Sequence, residues 1–271
     1  LKASKTSHEN AVSVANALVK ADADGLASHG VARLPAFSAQ AIAGKIDGFA
    51  EPSLTVTGDA VLRVDARSGF AFPAIDIGLD KAQEIVGRTG VVAVAVGHSH
   101  NAGVMGHHTE RMADVGLTAI AFTNSFGAIA PWGGSRPLYG TNPIAFSCPR
   151  KDAPPLVVDT SLSKIARGKV KLAADRGEAI PEGWCLDTDG NPTTEPLQDV
   201  EAVGSFRSRS KPNKVPWGEV VEKRLVALGC SVMELVNDDY VKVGRREPGD
   251  FACRNRLDGC EYMVPLVWVL P

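Results

Sequence analysis

VVAVAVGHSHNAGVMGHHTERMADVGLTAIAF, residues 91–122, decides the fold. Its two ends, VVAVAV (91–96) and LTAIAF (117–122), are short apolar runs set off by glycines. Continuous apolar runs of this length read as strands buried on both faces. Between them, residues 104–115 place Val104, Met105, His108, Met112 and Val115 near one side of a helix. Strand, helix, strand at this spacing is a βαβ-like unit and predicts an α/β sheet.

The same reading extends upstream. Thr6 and Glu9 form a capping box, followed by Ala11, Val12, Ala15, Leu18 and Val19 at helical spacing and by a stop at Gly25. A second helix is expected from Pro35 to near Gly44. LTVT (54–57) and AVLRVD (60–65) flank Gly58-Asp59 and predict a hairpin. Pro73 opens a helix that carries Ile75, Leu79, Ala82, Ile85 and Val86 on one face and ends at Gly90. Downstream, residues 123–143 are rich in glycine and proline, and a stretch of that kind inside a compact domain is usually functional or mobile. IAFSC (144–148) and PLVVD (155–159) read as strands, and a helix is expected from Ser163 to Gly177. No internal repeat or low-complexity segment is present.

Composition narrows the class. The 271 residues are 44% hydrophobic and 22% charged, with a formal charge of -2. That balance fits a globular protein and gives no electrostatic reason to expect nucleic acid or an anionic membrane as partner. No apolar run approaches a membrane span, and LKASKTSHEN lacks the apolar core of a signal peptide, so the cytoplasm is the expected compartment. The chain opens on Leu1 rather than Met, as a clipped start would. Five cysteines, Cys148, Cys185, Cys230, Cys253 and Cys260, form no C-x-x-C pair. Free thiols are the simplest expectation.

Four segments could carry chemistry. Ser28-His29-Gly30 puts a histidine past a helix end, beside a glycine that permits close backbone approach. Histidine exchanges protons near neutral pH. Arg33, four residues on, could fork a substrate carboxylate. The bland reading makes His29 a helix cap and Arg33 a solvated cation. HSHNAGVMGHH holds His98, His100, His107 and His108 and invites a metal-dependent hydrolase reading. However, helical ligand pairs stand at i and i+4, whereas His107 and His108 are adjacent, so no metal is expected. Asp159 ends a strand and is followed by Thr160, Ser161 and Ser163. A carboxylate there could orient a histidine, accept from a ribose or nicotinamide amide, or cap the next helix. Gly133-Gly134 and Gly140-Thr141-Asn142-Pro143 could wrap a dinucleotide with backbone amides, although no G-x-G-x-x-G occurs.

Taken together, ADGLASHGVARLP, TNSFGAIAPWGGSRPLYGTNPIAFSCPR, PPLVVDTSLSKIARGKV and PEGWCLDTDGNPTTEP resemble, in order and spacing, the malate/L-lactate dehydrogenase-like family of NAD(P)-dependent oxidoreductases. The likeness runs over about residues 6–198. APWGGSRPLYGTNPIAF and SHNAGVMGHH look most like the branch holding Δ1-piperideine-2-carboxylate/Δ1-pyrroline-2-carboxylate reductases and malate dehydrogenases.

The resemblance implies a non-Rossmann α/β fold with a mixed sheet and flanking helices. It implies NADPH or NADH as cofactor and a homodimer. The reaction would be hydride transfer to or from a small carboxylate substrate: a 2-oxo acid, a 2-hydroxy acid or a cyclic imino acid. By the same likeness His29 is the catalytic histidine, Ser28 its neighbour, and Arg33 a substrate-carboxylate position. Ser125, Asp159, Thr160 and Ser161 match cofactor positions, Asp159 also the catalytic set, and Thr141 and Asn142 join the cofactor set from the glycine loop. Residues 1–70 and 151–198 would form the substrate domain and 71–150 the cofactor-binding part.

The sequence departs from the family in three places. Asn101 stands where some members carry a second histidine, and His100 is one residue off. The family's additional N-terminal helix has no counterpart. After Pro196 the pattern stops: no G-G-x-K-G, with its cofactor lysine, is present, and the chain ends in the apolar MVPLVWVLP. An apolar end of this kind needs a covering surface. The abrupt change fits a shifted reading frame or a rearrangement, which leaves 199–271 an unassigned, atypical tail. The alternative to an active enzyme is a catalytically inert remnant that acts, if at all, as a binding or dimerisation partner.

Overall fold

The protein is described by a computed structural model. It defines residues 1–131, 135–187 and 189–196, together with the backbone of 202–203 and 266–270. All belong to one compact unit, residues 1–206 with 259–271.

Helix α1 (His8–Ala23) is capped by Ser7, whose side chain accepts from Asn10 N–H. The cap therefore lies one residue past the expected Thr6, because Thr6 is taken up in a bridge to Gly48. Helix α2 (Leu34–Ile42) starts with Pro35 in its first turn, where a missing N–H costs nothing. Strands β1 (Ser53–Gly58) and β2 (Val61–Asp65) form the expected antiparallel hairpin. Helix α3 (Ala71–Thr89) ends at Gly90 in the left-handed conformation.

Strand β3 (Val92–Gly97), helix α4 (Met105–Asp114) and strand β4 (Thr118–Phe122) follow as the quoted segment predicts. Then come β5 (Ile144–Arg150), β6 (Ala153–Thr160), helix α5 (Arg167–Arg176) and the short strands β7 (Cys185–Leu186), β8 (Pro192–Thr193) and β9 (Ala202–Val203). The last strand, β10, spans Leu266–Leu270. Helix α5 begins four residues later than expected, after Ala166 in extended conformation.

The main sheet is mixed, in the order β1-β2-β3-β10-β4-β5-β6, and β8-β7-β9 make a second, smaller sheet. Two sequence expectations are corrected. First, β3 and β4 are not neighbours: β10 lies between them, antiparallel to both. They therefore run parallel, as a βαβ unit requires, but the unit is split. Second, neither strand is buried on both faces. In β3, Val92, Val94 and Val96 are buried while Ala93 and Ala95 are half-buried, and β4 alternates in the same way.

The apolar C-terminus thus has a surface to meet. Its register sets Val267 opposite Val94 and Ala121, and Val269 opposite Val92 and Ala119, all buried positions of the neighbouring strands. A strand there pairs the inner edges of β3 and β4, whose backbone N–H and C=O groups would otherwise be open.

The largest core cluster joins the buried valines of β3 to Leu62, Ile75, Leu79, Met105 and Met112, so α3 and α4 cover one face of the sheet. Each fully buried side chain of this kind is worth about 1.5–3 kcal/mol. Thr109 of α4 and Ser147 of β5, both fully buried, satisfy each other at 2.7 Å. A second cluster, including Ile129, Val170 and Ile180, anchors α5. A third, with Leu18, Phe37 and Phe70, ties α1 and α2 to the start of α3.

Candidate active site

The 25–37 segment folds as two single 3-10 turns, Ala27–His29 and Val31–Arg33, joined at Gly30. Asp22, near the end of α1, explains the glycine. Its carboxylate accepts from Val31 N–H at 2.9 Å, and a side chain on residue 30 would collide with that carboxylate. With Gly30 the chain closes over Asp22 and turns His29 and Arg33 to the same side.

Both side chains line a cavity of about 500 Å³, together with Asn101, Ser125, Phe126, Thr141, Asp159, Ser161 and Lys171. Ser28 Oγ lies 3.1 Å from His29 Nδ1 and fixes the ring. When the hydroxyl donates, the imidazole proton sits on Nε2. Arg33 is half-buried, and its Nε donates to Ser28 O at 2.6 Å. No carboxylate pairs with it among the described residues. Burial pushes the His29 pKa below its ordinary value, and the charges of Arg33, His107 and Lys169 push the same way.

Asp159, at the end of β6, reaches across to α4. Its Oδ2 accepts from Gly106 N–H at 2.7 Å, in the first turn of that helix. Such a bond serves a helix N-terminus well, but the helix served is α4 rather than the following α5, whose own first residue has no side-chain cap. Crowding by protein raises the Asp159 carboxyl above the usual carboxylate range, against the pull of Gly106 N–H, His107 and His108.

Ser125, Thr141, Asn142 and Ser161 knot three segments together. Ser125 Oγ accepts from Thr141 N–H at 2.9 Å, Asn142 Oδ1 accepts from Ser125 N–H at 3.0 Å, and Ser161 Oγ donates to Thr141 O at 3.1 Å. Of the residues expected at the site, His29, Arg33, Ser125, Thr141, Asp159 and Ser161 meet at the cavity. Ser28 and Asn142 stand behind it, each bonded to a lining residue. Thr160 is exposed at the strand end and does not line it. Gly133 and Gly134 lie outside the described residues. The sequence reading passed over Lys171. Its position three residues past Gly168, on one face of α5, was the available signal.

The four clustered histidines diverge. His98 meets Asp65 at 3.1 Å, and His107 meets Asp24 at 2.8 Å. His108 Nε2 donates to Ala102 O at 2.8 Å, and His100 stands edge-on to Phe37 with ring centres 4.7 Å apart. Burial drives both His100 and His108 down to about 4, so they stay neutral at neutral pH. Among the described residues no group of three His, Cys, Asp or Glu side chains comes together as a metal site. Of the cysteines, Cys148 and Cys185 are free thiols, and burial raises Cys185 to about 11. No described helix is long and apolar enough to cross a membrane.

The malate/L-lactate dehydrogenase family profile matches residues 1–208. A (2R)-3-sulfolactate dehydrogenase (NADP(+)) of Chromohalobacter salexigens is 56% identical over 192 residues, covering 71% of this chain and 57% of that protein. A Δ1-pyrroline-2-carboxylate/Δ1-piperideine-2-carboxylate reductase of Pseudomonas aeruginosa is 41% identical over 182 residues, covering 67% of this chain and 54% of that one. The chain thus spans little more than half the length of these relatives. The crystal structure of Δ1-piperideine-2-carboxylate reductase from Pseudomonas syringae superposes with a TM-score of 0.76 at 31% identity, over 98% of this chain and 76% of that one. On the matched residues and the shared fold, this chain belongs to the malate/L-lactate dehydrogenase family.

Proposed function

We propose that this chain transfers a hydride between NADPH, or NADH, and a small 2-oxo acid, 2-hydroxy acid or cyclic imino acid. The observation that carries the reading is Arg33. It is a half-buried guanidinium without a carboxylate partner among the described residues, set beside a histidine in one cavity. A cation left in that state is a site for an anion. The same cavity offers hydroxyls and a carboxylate, Ser125, Thr141, Asp159 and Ser161, which suit the amide and ribose hydroxyls of a nicotinamide nucleotide. The sulfolactate dehydrogenase relative, named as NADP(+)-dependent, supports NADPH.

The nicotinamide supplies the hydride when bound. Arg33 grips the substrate carboxylate and so fixes the neighbouring carbon. His29, oriented by Ser28, donates a proton to the substrate oxygen or nitrogen in reduction and takes it back in oxidation. Asp159 holds the first turn of α4 against the cavity. Ser125, Thr141, Asn142, Thr160 and Ser161 are the cofactor side. The reading includes the non-Rossmann binding mode, the division into substrate parts 1–70 and 151–198 and a cofactor part 71–150, a homodimer and a cytoplasmic setting. With His29, Arg33 and Asp159 at one cavity, the inert-remnant alternative is not favoured.

Titration of the purified chain with NADPH and then NADH, followed by nicotinamide fluorescence, tests the reading. Saturable binding, tighter for NADPH, is expected, followed by turnover with pyruvate, oxaloacetate, 3-sulfopyruvate or Δ1-piperideine-2-carboxylate. Folded chain that binds neither nucleotide would overturn it.

Gly106 gives a finer check. A Cβ there would stand 3.1 Å from Asp159 Cβ and 3.2 Å from its Oδ2, so the carboxylate must give way by a few tenths of an ångström. Gly106→Ala is expected to lower kcat by about tenfold while circular dichroism is unchanged, since small misplacements cost rate steeply. Unchanged kcat would show that the Asp159–Gly106 contact does not set the site.

A further inference from the structure

Two cations line the cavity, Arg33 and, on α5, Lys171. Gly168 of the same helix packs so close that a Cβ there would sit 3.4 Å from Ser28 Cβ and 3.6 Å from Arg33 Nη2. Gly168 and Lys171 are three residues apart and both line the cavity, so one face of the helix looks into it. Val170, on the other side, is fully buried and fixes that rotation. Asp159 is the single carboxylate among the described lining residues, and Gly106 N–H already holds it. The Lys171 ammonium meets Asp175 at 3.2 Å in an exposed i,i+4 pair, an interaction weak enough to be exchanged for a better anion. Lys169 adds to the positive field felt at His29.

We propose that Lys171 selects substrates bearing a second anionic group, a sulfonate or carboxylate on the carbon next to the reacting one. Arg33 holds the carboxylate beside the reacting carbon and Lys171 takes the far anion. Monoanionic cyclic imino acids leave Lys171 without a ligand and are disfavoured. Lys171 is here a specificity-determining residue. The inference rests on the hydride-transfer reading for the substrate's identity, but its charge preference is measurable without turnover.

The test is calorimetric titration of the full chain with 3-sulfopropanoate and with propanoate, neither of which has a group to oxidise or reduce. The dianion is expected to bind at least roughly tenfold tighter, the scale of one charge-assisted contact. Lys171→Gln should bring that ratio close to one, and Lys171→Arg should restore most of it. Equal affinities in the unaltered chain, or a preference that survives Lys171→Gln, would overturn the assignment. A Lys171→Gln chain that loses NADPH affinity instead would also overturn it, by moving the lysine to the cofactor. No preference in the unaltered chain, with NADPH binding and turnover intact, removes this inference alone, whereas absent NADPH binding removes the parent reading with it.

Discussion

Replacing His29 with alanine is expected to lower kcat by about 10²–10⁴-fold, the usual share of a positioned acid or base, while NADPH binds almost as before. The ring lines the cavity and is held at Nδ1 by Ser28, so on the proposed role its removal takes away the group that exchanges a proton with the substrate and little of the cofactor wall. Steady-state rates and nucleotide fluorescence on the same variant separate the two effects. An unchanged kcat would remove His29 from the chemistry.

The pH dependence follows from the direction of the His29 shift. Burial, then Arg33, His107 and Lys169, lower its pKa, so the free site holds a neutral imidazole through neutral pH. Neutral imidazole is the base needed to oxidise a hydroxy acid. Oxidation should therefore hold its rate down to below pH 6.5 and fall only as the lowered pKa is crossed. Reduction needs the protonated ring and should decline as pH rises through the same value. Substrate binding opposes the shift, because a carboxylate on Arg33 cancels one of the charges that disfavour the imidazolium. The profile of kcat should accordingly titrate at higher pH than that of kcat/KM, which reports the free enzyme.

The parts of this arrangement legible in the sequence were the local ones. The continuous apolar run at 91–96 marked β3, although not which of its faces is the more buried, and Gly90 marked the end of α3, because run length and turn chemistry are written within a few residues. The S-H-G turn and Arg33 are likewise contiguous. The order of the sheet was not legible. The slot between β3 and β4 is filled by residues more than 140 positions downstream of β4, and no local pattern in LVWVL names its partners. The same limit hid Asp159 as the cap of α4, a bond between residues 53 apart in sequence, and Lys171, which lines the same cavity as Arg33 only through the packing of α5. The histidine-rich stretch misleads for the opposite reason. Its residues are close in sequence, but the fold sends His98, His100, His107 and His108 to separate partners.

Arg33→Ala is expected to cost on the order of 10²–10³-fold in kcat/KM, the scale for removing one partner of a desolvated charge pair. Arg33→Lys should recover only part of this, because an ammonium cannot fork a carboxylate as a guanidinium does. Stability should move the other way. The described residues give Arg33 no carboxylate partner, and burial lowers its pKa, so the folded chain bears the cost of a desolvated charge until an anion arrives. Alanine relieves that cost and forfeits the bond from Nε to Ser28 O. Tm is therefore expected to stay level or rise while activity collapses, as when a site is strained for function. His29 reports the same change independently: without the neighbouring cation its pKa should climb toward 6.5, seen as an upfield-to-downfield imidazole titration displaced to higher pH by proton NMR. A variant that loses activity together with several degrees of Tm, and leaves the His29 titration where it was, would make Arg33 a structural residue. The opposite pattern, lost kcat/KM with retained fold and a raised His29 pKa, is what an anion-binding arginine coupled to the catalytic histidine must show.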